Sequence, residues 1–355
     1  RSNALTEMLE NTALIEGTAS FVDIPTKQIM RVDAFKLFHA STYTDWIKHP
    51  KRRTVKMEDI VFAPEGEAEG QINLYTGLPT VPDATASCER ILIHAGNICN
   101  NNPELLRHML CWLAWPLQNP GAKMGYSLVI HGGQGTGKSI FFQKLMLKIY
   151  GHEYGIQVGQ TELESRYTGW LSKKLFIVCN EVSSIAHERK AHKNRLKSII
   201  TDDYLTVEEK FQSVRLERNH ANLVFITNEP HPVWVEEDDR RFEIIEYNTK
   251  YPADYYRELA EEIDNGGADA FLNYLLNYDT QGYRGIGEKP MDTDAKEQIK
   301  ELSRGPVESF LVDWMEGKTR FPCCACLPDD LWNVYKLWCV DSGFRVLGTK
   351  NGFGQ

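Results

Sequence analysis

Along this chain the apolar positions change their spacing partway. Between Pro103 and Leu117, residues Leu105, Leu106, Met109, Leu110, Leu113 and Leu117 fall on one helical face. This predicts a helix ending near Pro116 and Pro120. From Ser127 onward, short and nearly continuous apolar runs alternate with amphipathic stretches. Ser127 to Ile130, Leu175 to Cys179, Leu205 to Lys210, Ala221 to Thr227 and Phe242 to Glu246 read as strands, and Ser139 to Tyr150 and His192 to Ile200 read as helices. Strands apolar on both sides that alternate with helices predict a parallel α/β sheet covered on both faces.

The flanking segments are less regular. Leu14 to Phe62 mixes short apolar patches with turn residues and contains the basic run Lys48-His49-Pro50-Lys51-Arg52-Arg53. Pro64 to Gly70 is a polar connector, and order is expected to resume at Ile72. Beyond Tyr251 the chain turns helical. Pro306 to Gly317 and Asp329 to Ser342 read as amphipathic helices, the second with Leu331, Tyr335 and Trp338 on one face.

A chain of 355 residues has room for two or three domains. We divide it into a lead (1–13), an N-terminal accessory region (14–120), a sheet-bearing core (121–250), a helical region (251–305) and a small C-terminal module (306–355). Ser2-Asn3-Ala4 resembles the scar of a removed expression tag. No apolar run reaches 18 residues, so a soluble protein without membrane partners is expected. The start RSNALTEM lacks the basic and apolar regions of a secretory leader. The eight cysteines therefore read as reduced thiols of a cytoplasmic protein. Cys323, Cys324, Cys326 and Cys339 lack the second paired motif of a zinc site and read as loop and core thiols. A net charge of −9 argues against a protein that coats nucleic acid with its whole surface. Any such contact must be local.

Gly132-Gly133-Gln134-Gly135-Thr136-Gly137-Lys138-Ser139 matches G-x-x-x-x-G-K-[ST] and stands between a predicted strand and a predicted helix, where the motif has to stand. Glycines let backbone amides turn inward around a phosphate, and the following helix adds its positive end. Lys138 is expected to reach the β- and γ-phosphates and Ser139 to ligate Mg²⁺. The chain is thus expected to bind a nucleoside triphosphate.

Leu175 to Glu181 reads LFIVCNE, an apolar strand expected beside the phosphate-loop strand, with Glu181 at its tip to orient an attacking water. Asn180 stands where a metal-holding Asp is usual. An amide oxygen can fill that role through a metal-bound water, with less charge. Asn228, ending the run Leu223 to Thr227, is placed to sense the γ-phosphate. Arg240 and Arg241 have the chemistry of a finger reaching a neighbouring subunit's γ-phosphate, and the sequence leaves open which of them does so.

The set GGQGTGKS, IVCNE, KSIITDDYLTVEEK and FITNE, within 132–228, resembles the four motifs of superfamily 3 helicases. INLYTGLPTVP, WPLQNP and TNEPHPVWVEEDDRRF resemble the C-terminal helicase part of poxvirus-, phage- and plasmid-type primase-helicases, over most of the chain from about Leu14. The resemblance implies an AAA+ type P-loop fold with an N-terminal α/β accessory region, a hexameric ring, Mg-ATP hydrolysis at subunit interfaces, and translocation on single-stranded or forked DNA in the host cytoplasm. It also implies a primase or polymerase domain on the same natural chain. A hairpin over Leu205 to His220 would point into the ring channel, which makes Lys210, Arg215, Arg218 and His220 the DNA-gripping candidates. The preceding helix adds Arg189, Lys190, Lys193, Arg195 and Lys197. The C-terminal module resembles a partial winged helix, and the sequence reads as a trimmed piece. Two other readings use the same motifs: a replication initiator or DNA-remodelling ATPase without processive unwinding, and a nucleotide-locked replisome scaffold.

Overall fold

The computed structural model describes residues 2–182, 190–210, 214–343 and 353. Residues 2–11, set aside above as a lead, form a helix whose Met8 is buried with Phe21, Phe35 and Trp46. Strands β1 (Thr12–Ile15), β2 (Ser20–Asp23), β3 (Gln28–Arg31) and β4 (Arg53–Val55) form a sheet in the order β3-β2-β1-β4. Helices Val32–Phe38 and Tyr43–Ile47 cover one face of it through Phe35 and Trp46. The parallel pair β5 (Ile60–Val61) and β6 (Ile72–Asn73) follows.

Helices Glu89–Ile98 and Pro103–Gln118 come next. The second is started by Asn102, whose side chain accepts from the N–H groups of Glu104 and Leu105 at 3.0 and 3.1 Å, with Pro103 in the first turn. It runs through Pro116 and ends at Gln118, between Pro116 and Pro120 as expected. Burial of Leu113 and Leu117 holds the last turn although Pro116 supplies no N–H.

The central sheet consists of β7 (Ser127–His131), β8 (Gly155–Val158), β9 (Phe176–Asn180), β12 (Asn222–Thr227) and β13 (Phe242–Glu246). An antiparallel hairpin, β10 (Tyr204–Val207) with β11 (Arg215–Arg218), is inserted before β12. The sheet order is β13-β7-β12-β9-β8, and every neighbouring pair is parallel. This corrects one expectation. The strand ending at Glu181 does not lie beside the strand that leads into the glycine loop, because β12 separates them. Periodicity marks a strand as buried on both faces but carries nothing about lateral order. The edge strand β8 escaped the sequence reading because its four residues, GIQV, contain a polar interruption.

Alternation along the strands feeds two cores. Leu128, Ile130, Phe176, Val178, Val224 and Ile226 point to one side, where Trp112, Phe141, Phe142 and Phe271 from the helices meet them. Val129, Ile177, Cys179, Leu223, Phe225 and Ile244 point to the other, against Ile199, Ile200, Val233 and Ile299. The runs look continuously apolar because each face is covered. Helices Pro306–Met315 and Pro328–Asp341 carry a separate cluster of Phe310, Tyr335, Trp338 and Cys339, joined by Phe353. The segment in which a wing would be sought, 344–352, lies outside the described residues. Among the described residues no helix is long and apolar enough to cross a membrane, and no cluster of three or more His, Cys, Asp or Glu suits a metal ion.

Lys123, just before β7, is buried and donates to the Ala221 carbonyl at the foot of β12. Burial lowers its pKa from 10.5 to about 7, and Asp202 opposes this only in part. Between pH 7 and pH 10.5 the unfolded chain holds a proton that the folded chain has lost, so this group adds stability as pH rises through that window. Lys123→Met should remove the effect. Its melting temperature relative to the parent is expected to be highest near pH 7 and to fall towards pH 10. A difference that stays constant with pH would show that the ammonium remains charged in the fold.

Candidate functional site

The glycine loop leaves β7 at the C-terminal edge of the sheet, the edge where ligands bind in open α/β folds. Two glycines are required by close approach. A Cβ on Gly132 (φ 127°) would strike the Tyr247 carbonyl, and one on Gly137 (φ 90°) would come within 2.7 Å of His94 and 2.8 Å of Tyr256. Past Ser139 the chain enters a wide, π-type turn, Ile140–Met146, continued as Leu147–Tyr154 with Gly151 (φ 67°) breaking the last turn.

Lys138 is buried, and its ammonium donates to Gly132 O (3.0 Å), Gly133 O (2.7 Å), Thr136 Oγ1 (3.2 Å) and Asn228 Oδ1 (3.2 Å). The structure thus brings together the loop lysine and the strand-end asparagine, 90 positions apart in sequence. All four acceptors are neutral, and among the described residues no carboxylate pairs with Lys138. Burial, with Lys250 adding repulsion, lowers the pKa of Lys138 to about 8.

Glu181 follows β9 in an exposed position with φ 50°, a left-handed conformation unusual for a non-glycine residue, and its N–H donates to Ile226 O at 3.0 Å. Such a conformation costs on the order of 1–3 kcal/mol. Asn180 is half-buried and pairs with Ile226 in the β9/β12 register. With strands about 4.8 Å apart, the intervening β12 sets Glu181 roughly two strand spacings from the loop strand. Asn228, at the end of β12, lies between the two.

Arg240 and Arg241 precede β13, the edge strand, whose register with β7 runs from Phe242↔Ser127 to Glu246↔His131. They lie at the end of the sheet opposite the glycine loop, about 16 Å away along a five-residue strand. Neither serves its own loop. The two also differ in surroundings. Arg241 binds Asp239 through its backbone N–H (2.7 Å) and its guanidinium (3.4 Å), and Asp239 is buried enough that desolvation raises its pKa against the pull of Arg241. Arg240 is exposed, with no ion pair among the described residues.

The predicted DNA-gripping residues separate in the same way. Arg215 is taken up by Glu209 and Glu217, each at 2.6 Å, and Arg218 is paired with Glu65. His220 is buried, with Nδ1 2.7 Å from Gly121 O, so it is not available to hold a phosphate in this arrangement. Lys210 lies 5.4 Å from the Tyr167 ring centroid at the base of the hairpin tip, of which 211–213 lie outside the described residues. On the preceding helix, Lys197 pairs with Glu236 at 2.8 Å and Arg195 donates to Ser165 O. Arg189 and the side chains of Lys190 and Lys193 lie outside the described residues.

The sequence reading missed the residues that brace the loop from behind. Asn248 accepts from Gly133 N–H at 2.7 Å. His94, fully buried, places Nε2 3.2 Å from Gly137 O and Nδ1 3.0 Å from the Tyr255 hydroxyl, and burial lowers its pKa. For Asn248 a signal existed, since a polar residue just past a predicted strand of an α/β sheet sits at the ligand edge. His94 lies inside a helix and carried none.

Residues 130–241 match a family of unknown function, DUF5906. Over 237 residues the chain is 35% identical to the DNA primase-polymerase of Nitratiruptor phage NrS-1, an alignment covering 62% of this chain and 32% of that protein. The chain therefore spans about a third of the length of this curated relative. Two apo structures of the NrS-1 C-terminal region superpose with TM-scores of 0.70 and 0.69 at 23% and 22% identity, covering 89% and 86% of this chain and 80% and 78% of theirs. These superpositions establish a shared fold.

Because Lys138 must be protonated to hold a phosphate, affinity for a non-hydrolysable ATP analogue is expected to weaken as pH rises through about 8. Lys250→Ala should move that midpoint upward by removing the repulsion. Fluorescence titrations between pH 7 and pH 10 measure both effects. Flat affinity across this range would separate Lys138 from the ligand.

Proposed function

We propose that this chain is the ATP-driven motor part of a phage-type DNA replication protein, an AAA+ ring helicase of superfamily 3 that moves on single-stranded DNA. One observation carries the reading: Lys138 and Asn228 meet over the C-terminal edge of β7 and β12, with Glu181 one strand further on. The 35% identity to a phage DNA primase-polymerase supports a replication setting.

In this reading the amides of Gly132 to Gly137 surround the β-phosphate and Lys138 spans the β- and γ-phosphates. Its four neutral acceptors are weaker partners than a triphosphate, so it exchanges them on binding. Glu181 orients the attacking water and accepts its proton, and Asn228 registers the γ-phosphate from the middle strand. Ser139 and Asn180 offer hard oxygen donors, exposed and half-buried, that suit Mg²⁺. When bound, that ion neutralises charge on the triphosphate. Arg240, exposed and far from its own loop, is the finger offered to the next subunit, while Arg241 anchors the chain through Asp239. Lys210 is the hairpin contact to DNA.

Glu181→Gln should lower the DNA-stimulated ATPase rate by about 10²-fold or more with nucleotide binding intact. Asn180→Asp should keep activity and reduce the Mg²⁺ needed. A chain that binds nucleotide but shows no DNA-stimulated hydrolysis would be a scaffold, and one that hydrolyses ATP without opening a forked duplex would be a remodelling ATPase. Lys210→Ala should bind ATP but fail in the same unwinding assay.

Arg240→Ala should cost on the order of 10³-fold in turnover, and mixing it with Lys138→Ala chains should restore part of the activity through sites that combine an intact loop with an intact arginine. Failure of the mixture to recover would remove the finger assignment.

A further inference from the structure

The basic run from Lys48 to Arg53 has no part in the motor, yet it lies in a strongly cationic segment. Residues 27–56 contain eight Lys and Arg against Asp33 and Asp45, in a chain with 40 basic and 49 acidic residues. We propose that this N-terminal unit is a second DNA contact, separate from the hairpin. Lys36, Lys48, Lys51 and Arg53 would hold the phosphates of a single strand, and Phe38 would stack on its bases.

The fold gathers these groups on one small unit. Phe35 and Trp46 pack on Phe21 at 4.4 and 5.2 Å between ring centroids, which seats both short helices on the same sheet face. Lys36 lies 5.3 Å from the Tyr43 ring, so the first helix sets its charge alongside the second. Arg53 opens β4 directly after the basic run. All four cations are exposed.

Their charges are also uncompensated. Among the described residues, the one ion pair of this segment joins Lys56 to Glu58 at 3.4 Å, and Arg52 donates to a carbonyl, that of Ile47. Elsewhere exposed cations do find carboxylates, as in Arg90 with Glu258, Lys144 with Asp264 and Arg257 with Asp254. A protein of net negative charge that leaves one unit's cations unpaired offers a local site for a polyanion. Phe38 is 78% exposed and the adjacent Leu37 84%, whereas Phe35 supplies the packing of that helix. Unpaired cations and an exposed aromatic ring on one unit are the components of single-strand binding, and a duplex presents no free base faces to the ring.

The test uses the intact chain without nucleotide, with fluorescence anisotropy of labelled oligo-dT between about 50 and 200 mM salt. Replacing Lys36, Lys48, Lys51 and Arg53 together with Gln should weaken binding at least about tenfold and reduce the salt slope by up to about 3, at about 0.7 per phosphate contact. Phe38→Ala should weaken binding about fivefold or more with the slope unchanged. ATP binding should be unaffected in both variants, which confirms that they fold. Lys138→Ala should keep this DNA affinity, so failure of the motor reading is distinguishable from failure of this one. Unchanged affinity and slope in the fourfold variant would make the unit a solvated face and overturn the proposal. An equal loss on duplex DNA for Phe38→Ala would overturn the single-strand assignment.

Discussion

The ammonium of Lys138 is buried against neutral oxygens alone, and much of the surrounding structure serves that arrangement. A buried cation without a carboxylate is costly, and the lowered pKa reports the cost. A carboxylate partner would relieve it but would also compete for the charge that a phosphate needs. Carbonyl, hydroxyl and amide oxygens hold the side chain in place while leaving its charge uncompensated. The loop can be folded this tightly only because Asn248, His94 and Tyr256 brace it from behind and because glycines stand where their atoms approach.

The position of β12 organises the other polar groups. As a strand between β7 and β9, it places Asn228 against Lys138 and moves Glu181 outward by one further strand spacing. The parallel direction of all five strands puts these three groups at one edge and leaves Arg240 and Arg241 at the opposite edge. A single copy therefore keeps Arg240 and Arg241 away from its own glycine loop. This asymmetry is the physical basis for the proposed ring, in which each site is completed by the next chain.

Charge is distributed with similar economy. On the hairpin, Arg215 and Arg218 are neutralised by glutamates and His220 is buried, so a count of basic residues there overstates what can meet a polyanion. On the N-terminal unit the cations are exposed and largely unpaired. Sequence reading weights these two clusters by composition, whereas the fold separates them by the carboxylates brought near each.

The sequence by itself determined the features that depend on neighbouring residues. The glycine loop follows from the spacing Gly132 to Ser139. The strands of Leu128 to Ile130, Phe176 to Cys179 and Leu223 to Ile226 follow from short apolar runs, and the long helix follows from its apolar stripe. The strand-end positions of Glu181 and Asn228 were legible because polar residues close the apolar runs there, at the edge where α/β sheets collect their ligands. Only the tertiary structure decided the order of the strands, because a run buried on both faces carries no record of which strand lies beside it. It alone separated Arg240 from Arg241, since the two are chemically identical in sequence and differ only in the nearness of Asp239. It alone brought His94 and Asn248 to the loop, because contacts across 43 and 115 positions are set by packing rather than by local pattern.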